Sequence, residues 1–415
     1  MEGWMEGWME GWMEGTRPLP NSFKFGRVIP SMYDEENTLL MTPGPVAFHP
    51  RVYRAMSRME YHHRTPEYRK TFSECVSMMK TVMRTKNDVF ILTGSGTSAM
   101  EAAIANCVSP GDKVLNLIGG KFSERWTEIT QTFGGVSVPL QIEWGKAIKP
   151  EAVADALEKN PQVKFVTLCH NETSTAVINP AREIAEVVRD HGKLLMVDGI
   201  TSVGGDYVEP DEWGFDILVT GSQKCLGCPP GLAAIMVGPR AWEIIDQKKR
   251  MPAYYLNLPA YRKHLAKLDT PYTSAIPLVY GLHEALKMSL TEGYEPRVQR
   301  HRRMATALRS GVEAIGLGLL AEKGYESNTL TAVKYPDGIK DEIFRATLRR
   351  HGVLIAGGQA HLKGKICRVA HMNITGEREV LLTLGVMELS LKELGFPGGG
   401  GVSAAVSVLA GASKS

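Results

Sequence analysis

Residues 194–224 read LLMVDGITSVGGDYVEPDEWGFDILVTGSQK, and their reading decides the fold. Two apolar runs lie in this stretch, Leu194–Val197 and Phe215–Thr220. The first stops at Asp198 and the second at Gly221-Ser222-Gln223-Lys224. A short apolar run bounded by turn residues reads as a buried strand. Outward from here the same grammar repeats. Asp88–Leu92 stops at TGSGT, Lys113–Ile118 at a Gly-Gly pair and Lys164–Leu168 at CHNETST, while Leu232–Val237 is a sixth run. Helical periodicity fills intervals at Ser98–Val108, Phe122–Thr132, Pro150–Lys159 and Ala181–His191. Strands alternating with helices predict an α/β fold, a mostly parallel sheet with helices on both faces. Beyond residue 285 the texture changes to longer amphipathic helices and a few strands, Leu330–Val333 and Ile366–Ala370. That change predicts a second, smaller α/β domain.

The composition agrees with a folded enzyme. The chain has 415 residues, 43% apolar and 22% charged, enough to bury a sizeable core. Lysine and arginine number 48 against 45 acids, a net charge of +3. That balance argues against a nucleic-acid wrap or a polybasic membrane anchor. Six cysteines in this length make no disulfide framework and suit a reducing cytoplasm. No stretch reaches the roughly 18 apolar residues of a membrane span.

The two ends differ from the middle. Residues 1–15 repeat MEGW and read as a disordered leader, since a glycine in every turn makes a poor helix. Residues 16–47 read as an N-terminal arm, 48–285 as a large domain and 286–397 as the small one. Residues 398–415, rich in Gly, Ser and Ala, read as a flexible tail ending in Ser-Lys-Ser.

Polar and glycine residues cluster just after the strands, where open α/β sheets bind their ligands. Gly94-Ser95-Gly96-Thr97 follows a strand and opens a helix. Glycines let the backbone approach an anion, and the helix start offers unpaired N–H groups. The same sequence would also serve a plain strand–helix turn. Asp198 closes a buried strand and needs a partner, either a cation or the N-terminus of the next helix. No neighbouring histidine or carboxylate has metal-like spacing, so no metal is expected. Lys224 points into the same crevice or snorkels to the surface. Ser222 and Gln223 beside it are further hydrogen-bonding groups for a phosphate. A phosphate cradle, an acid and a lysine at the ends of strands in one sheet are the three parts that pyridoxal phosphate chemistry needs.

The motifs then carry a resemblance. MTPGPVAFHP, YHHRTPEYR, TGSGTSAMEAAIAN, GGKFSERW, CHNETSTAV, LLMVDGITSVGG, TGSQKCLGCPPG and GKICRVAHMN occur in order from about Leu39 to Gly395. Together they resemble the class V, fold-type-I aminotransferases that use pyridoxal 5'-phosphate. The branch is that of the alanine–glyoxylate, serine–pyruvate and archaeal aspartate enzymes. The resemblance implies a large domain with a seven-stranded, mostly parallel sheet and a smaller C-terminal α/β domain. It implies a homodimer with shared active sites and a transaminase acting on amino acids and 2-oxo acids, with no nucleic-acid or membrane partner.

By the same resemblance, Lys224 is the Schiff-base lysine and proton carrier, and Asp198 the partner of the pyridine nitrogen. Ser95, Gly96, Thr97 and Gln223 contact the phosphate. Thr173 meets the phenolic side of the ring and Phe122 covers its face, where relatives often have Trp. Arg368 anchors the substrate carboxylate, Gly44 lines the mouth, and His63 and Arg64 help receive the acceptor. Tyr272 and Thr273 reach the phosphate of the neighbouring subunit. Cys225 and Cys228 form a CxxC that reads as small apolar packing, because zinc would want a second pair. A lyase or cysteine desulfurase of the same fold is the alternative. Gln223 before the lysine and Ser95-Gly96-Thr97 in the loop depart from the desulfurase pattern, which has His and Thr-His there. A non-catalytic binding protein is the remaining alternative, supported only by the leader and the CxxC.

Overall fold

The structure is a computed structural model, and it describes residues 38–411. The MEGW leader and most of the N-terminal arm lie outside these residues. Seven strands form the main sheet: β1 (Asp88–Thr93), β2 (Lys113–Ile118), β3 (Val136–Gln141), β4 (Val163–Cys169), β5 (Leu194–Asp198), β6 (Ile217–Gly221) and β7 (Leu232–Val237). Their order is β1-β7-β6-β5-β4-β2-β3. Strand β7 is antiparallel to both its neighbours, and the remaining pairs are parallel.

Alternate residues of each strand enter opposite cores, as the twofold period of a strand requires. Ile91, Leu115, Leu117, Val166, Leu168, Leu195, Val197 and Leu218 pack on one face. Phe90, Leu92, Val114, Phe165, Met196, Ile217 and Val219 pack on the other. Helices α1 (Gly96–Cys107) and α2 (Lys121–Thr132) lie on the second face, where Ala99, Ala102, Ala103 and Trp126 are fully buried.

The run Val136–Gln141 was not among the six read as strands. It carries Pro139 and buries none of its residues fully. It pairs on one side only, with β2, and an edge strand tolerates a proline that a central strand would not.

A second sheet, ordered β8-β9-β11-β10, comprises β8 (Gly318–Leu319), β9 (Leu330–Lys334), β10 (Ala356–Gly357) and β11 (Ile366–Ala370). Helices α3 (Tyr294–Ala314) and α4 (Glu377–Glu393) share a core with it through Met304, Leu308, Val369, Leu384 and Met387. Leu39–Leu40 pairs in parallel with Val353–Leu354, so the start of the described chain joins this C-terminal region.

The flexible tail needs correction. Gly401–Gly411 is a helix, α5, packed on α3 and α4. Ala405 and Leu409 are buried in the same core. Glu388 Oε1 accepts from the N–H groups of Gly401 and Val402, at 2.6 and 3.1 Å. A carboxylate on orphan N–H groups stabilises the start of a helix. The composition suggested mobility, but the cap and the buried apolar stripe decided otherwise.

Candidate active site

The strand order brings one end of the main sheet together. Residues following β1, β2, β4, β5 and β6 all emerge at the carboxyl side. The β4–β5 register sets Cys169 level with Asp198, and β6 sets Val219 beside it.

Lys224 is 7% exposed, and its Nζ donates to the carbonyl of Pro43. It lies 6.0 Å from the centre of the Phe122 ring. Gly44 has φ +109°, and a Cβ there would stand 2.7 Å from Lys224 Cδ, Cε and Nζ. Only glycine allows the 43–45 loop to approach the lysine this closely. Burial, and next the Arg368 guanidinium, push the Lys224 ammonium down to about 8. Proton loss near pH 8 has a testable consequence. Reaction of the Lys224 amine with an aldehyde in the cofactor-free protein is expected to rise through pH 8 and level off above it. Removing the Arg368 charge by Arg368→Leu should move the midpoint upward. A midpoint near the ordinary lysine value in the unaltered protein would contradict this arrangement.

Asp198 is 4% exposed. Its Oδ1 accepts from the Ile200 N–H at 2.8 Å, and its Oδ2 lies 3.7 Å from the Cys169 thiol. Burial pushes its carboxyl up to about 6, against the Ile200 N–H bond. A buried carboxylate with one N–H and one weak thiol donor has acceptor capacity left for a cationic N–H partner.

Arg368 is 6% exposed. Its Nε donates to Gly357 O at 2.9 Å and one Nη donates to Thr173 O at 3.2 Å. Burial lowers its pKa to about 10. Two carbonyls therefore hold the charged fork, and among the described residues no carboxylate pairs with it directly. Thr173 Oγ1 shares a 2.6 Å hydrogen bond with Thr201 Oγ1.

The loop after β1 opens α1. Ser95 stands at its N-cap without a side-chain capping bond. Gln223 Oε1 is buried and has no hydrogen-bond partner among the described residues. A Cβ on Gly221 would stand 2.9 Å from that oxygen and 3.4 Å from Gly96 N and Cα. The glycines thus bring the Gln223 amide close to the hydroxyl-bearing start of α1, a set of groups that suits a phosphate. With Asp198 and Lys224 alongside, these residues fit pyridoxal phosphate.

The two remaining expected pairs make contacts of their own. Arg64 donates to the Asp269 carboxylate and to Thr270 O (2.9 Å), joined by Arg69 at 3.2 Å from Asp269. The His63 ring is tilted by 40° against that of His62, with ring centres 4.4 Å apart. Tyr272 stacks on Tyr255 at 4.9 Å and donates to Tyr254 O at 2.7 Å, while Thr273 is exposed. Among the described residues, no hydrogen bond links these four to Lys224, Asp198 or Arg368. Cys225 and Cys228 are buried, with their thiols on the carbonyls of Thr201 and Leu278. No His, Cys, Asp and Glu cluster among the described residues could hold a metal ion.

Sequence reasoning missed Glu172, which is 1% exposed. Its carboxylate accepts from Phe122 N (3.2 Å), Ser123 N (2.9 Å), Ser123 Oγ (2.9 Å), Ser174 N (3.1 Å) and Ser174 Oγ (2.5 Å). It caps α2, whose own N-cap is the side-chain-free Gly120, and ties the helix bearing Phe122 to the Thr173 loop. The available signal was a carboxylate in a polar turn after a buried strand, the argument already applied to Asp198. Glu172→Ala strands five donors, so a loss of about 3 kcal/mol is expected. Urea unfolding checks it, and a loss below about 1 kcal/mol would contradict the anchoring role.

Comparison with known proteins matches residues 46–382 to the family model for class V aminotransferases. The chain belongs to the class V aminotransferases. An uncharacterized aminotransferase of Methanocaldococcus jannaschii is 48% identical over 365 residues, covering 88% of this chain and 95% of that one. A Synechococcus protein named soluble hydrogenase, small subunit, is 39% identical over 383 residues, covering 90% and 99%. The crystal structure of ureidoglycine–glyoxylate aminotransferase from Bacillus subtilis superposes with a TM-score of 0.86 at 32% identity, covering 90% and 98%. This class V aminotransferase therefore has the fold-type-I architecture and is a pyridoxal-phosphate-dependent transaminase. Among its described residues, no helix is long and apolar enough to cross a membrane.

Proposed function

We propose that this enzyme moves the amino group of a small L-amino acid, alanine, serine or aspartate, to a 2-oxo acid such as glyoxylate, pyruvate or 2-oxoglutarate. One observation carries the reading: the Lys224 amine is buried within electrostatic reach of the Arg368 guanidinium and the Asp198 carboxylate. The Bacillus subtilis relative, named for glyoxylate, supports a small 2-oxo acid as acceptor.

Bound there, pyridoxal phosphate supplies the electron sink for the pair released at the substrate Cα. Ser95, Gly96, Thr97 and Gln223 would hold its phosphate. Asp198 would keep a proton on its ring nitrogen, and Thr173 and Phe122 would help to hold the ring. Arg368 would take the substrate carboxylate as a fork and so orient the bonds at Cα. Lys224, as the free amine, takes the Cα proton and returns it. Gly44 lines the entrance through its backbone. His63 and Arg64 assist the acceptor, and Tyr272 and Thr273 act on the neighbouring subunit's phosphate in a cytoplasmic homodimer. The two substrates bind alternately, in ping-pong order.

Arg368→Lys is expected to raise KM for both amino acid and oxo acid about tenfold, because a point charge cannot replace the fork. Steady-state kinetics check this, and an unchanged KM would remove Arg368 from the site.

The deciding experiment is the visible spectrum of the purified enzyme. The yellow band should bleach with alanine, serine or aspartate and return with glyoxylate, pyruvate or 2-oxoglutarate. A band that persists with every amino acid would move the reading to a lyase.

A further inference from the structure

Phe122 and Arg125 are three residues apart on α2 and so share a helix face. Arg125 Nη1 donates to Thr97 Oγ1 at 2.9 Å. Its Cζ lies 5.2 Å from the centre of the Phe122 ring, within reach of a cation–π contact. The same positive charge lowers the proton affinity of Asp198 and of Cys169. One side chain thus touches the anion loop and the aromatic plate, and its field reaches the acid.

The direction of the Thr97 bond matters. A guanidinium only donates, so Thr97 Oγ1 must accept from it. The hydroxyl proton is then left over. Among the described residues, no hydrogen bond from Thr97 Oγ1 to an acceptor occurs. An anion seated at the N-terminus of α1 would be its natural acceptor. A threonine without this partner could turn its lone pairs toward the loop and offer an anion nothing.

We propose that Arg125 is a positioning residue for the phosphate end of the cofactor: it makes the Thr97 hydroxyl an obligate donor to the anion and adds a fixed positive charge behind it. Its packing on Phe122 ties the ring plate to the same cradle, and Glu172 anchors the helix that carries both. The proposal rests on reading Ser95–Thr97 as the phosphate loop.

The test titrates cofactor-free enzyme with pyridoxal phosphate and, separately, with pyridoxal, which lacks the phosphate. Arg125→Met should raise the Kd for pyridoxal phosphate about tenfold to a hundredfold, the scale of one charge-assisted hydrogen bond. Uptake of pyridoxal should stay within about twofold of the unaltered enzyme. Arg125→Gln, which keeps a donor but not the charge, should fall between. Adding Thr97→Ala to Arg125→Met should cost less than Thr97→Ala alone, because the two act as a unit. An unchanged Kd in both Arg125 variants overturns the proposal and leaves the loop reading standing. An unchanged Kd in Thr97→Ala removes the loop reading and the proposal with it. Equal losses for pyridoxal phosphate and pyridoxal overturn it too, since Arg125 would then only brace α1 against α2.

Discussion

Lys224→Ala is expected to lower transamination turnover by about 10⁴-fold or more, the upper end of what a positioned acid–base group contributes. The lysine is buried beside Phe122, and among the described residues its Nζ donates to a backbone carbonyl, that of Pro43. A neutral amine is needed to take a proton, and burial with the Arg368 charge supplies one by lowering the pKa to about 8. The fold should survive. A buried ammonium is a burden on the folded state, so its removal offsets the lost contacts, and the melting temperature should move by less than about 4 °C. Stopped-assay turnover and a thermal melt on the same preparation check both parts. Full turnover in the variant would sink the assignment, and an unfolded variant would show a structural role instead.

Asp198→Asn is the second large effect. On the proposed reading this carboxylate would keep a proton on the ring nitrogen, and a neutral amide of the same shape could not balance that charge. Losing one preorganised electrostatic partner costs about 10²–10³-fold in kcat. KM for the amino acid should hardly change, since Arg368 remains. The cofactor-free protein gives an independent readout. Its Asp198 carboxyl is raised from the ordinary 3.8 to about 6, mainly by burial. The folded state therefore binds the proton more tightly than the unfolded chain. Stability falls as pH rises between about 4 and 6, and the full penalty, at most about 3 kcal/mol, is carried above 6. Asp198→Asn should accordingly stabilise the cofactor-free protein at pH 7.5 and not at pH 4. A variant with unchanged kcat, or with the opposite pH trend, would count against the role.

Much of this site could be read along the chain. Asp198, Lys224 and the Gly94–Thr97 loop each terminate or follow an apolar run, and runs of that kind are local. Arg368 was visible only through resemblance, because a lone arginine on a strand carries no periodic signal. Glu172 was passed over within the quoted CHNETST motif, since nothing local says that its carboxylate will meet a helix 49 residues upstream. The Gly-rich tail was misread because composition records backbone freedom but not the capping carboxylate of Glu388.

The amino-acid sequence by itself determined the alternation of strands and helices and the line of polar residues at the strand ends. Both follow from short-range periodicity and from turn residues whose backbone preferences act within a few positions. Tertiary structure alone decided which of those residues face one another. The Arg125–Thr97 bond joins positions 28 apart, and the Arg64–Asp269 pair joins positions 205 apart. Such partners are chosen by sheet order and helix docking, which bring distant side chains within about 3 Å and supply the burial that moves their proton affinities.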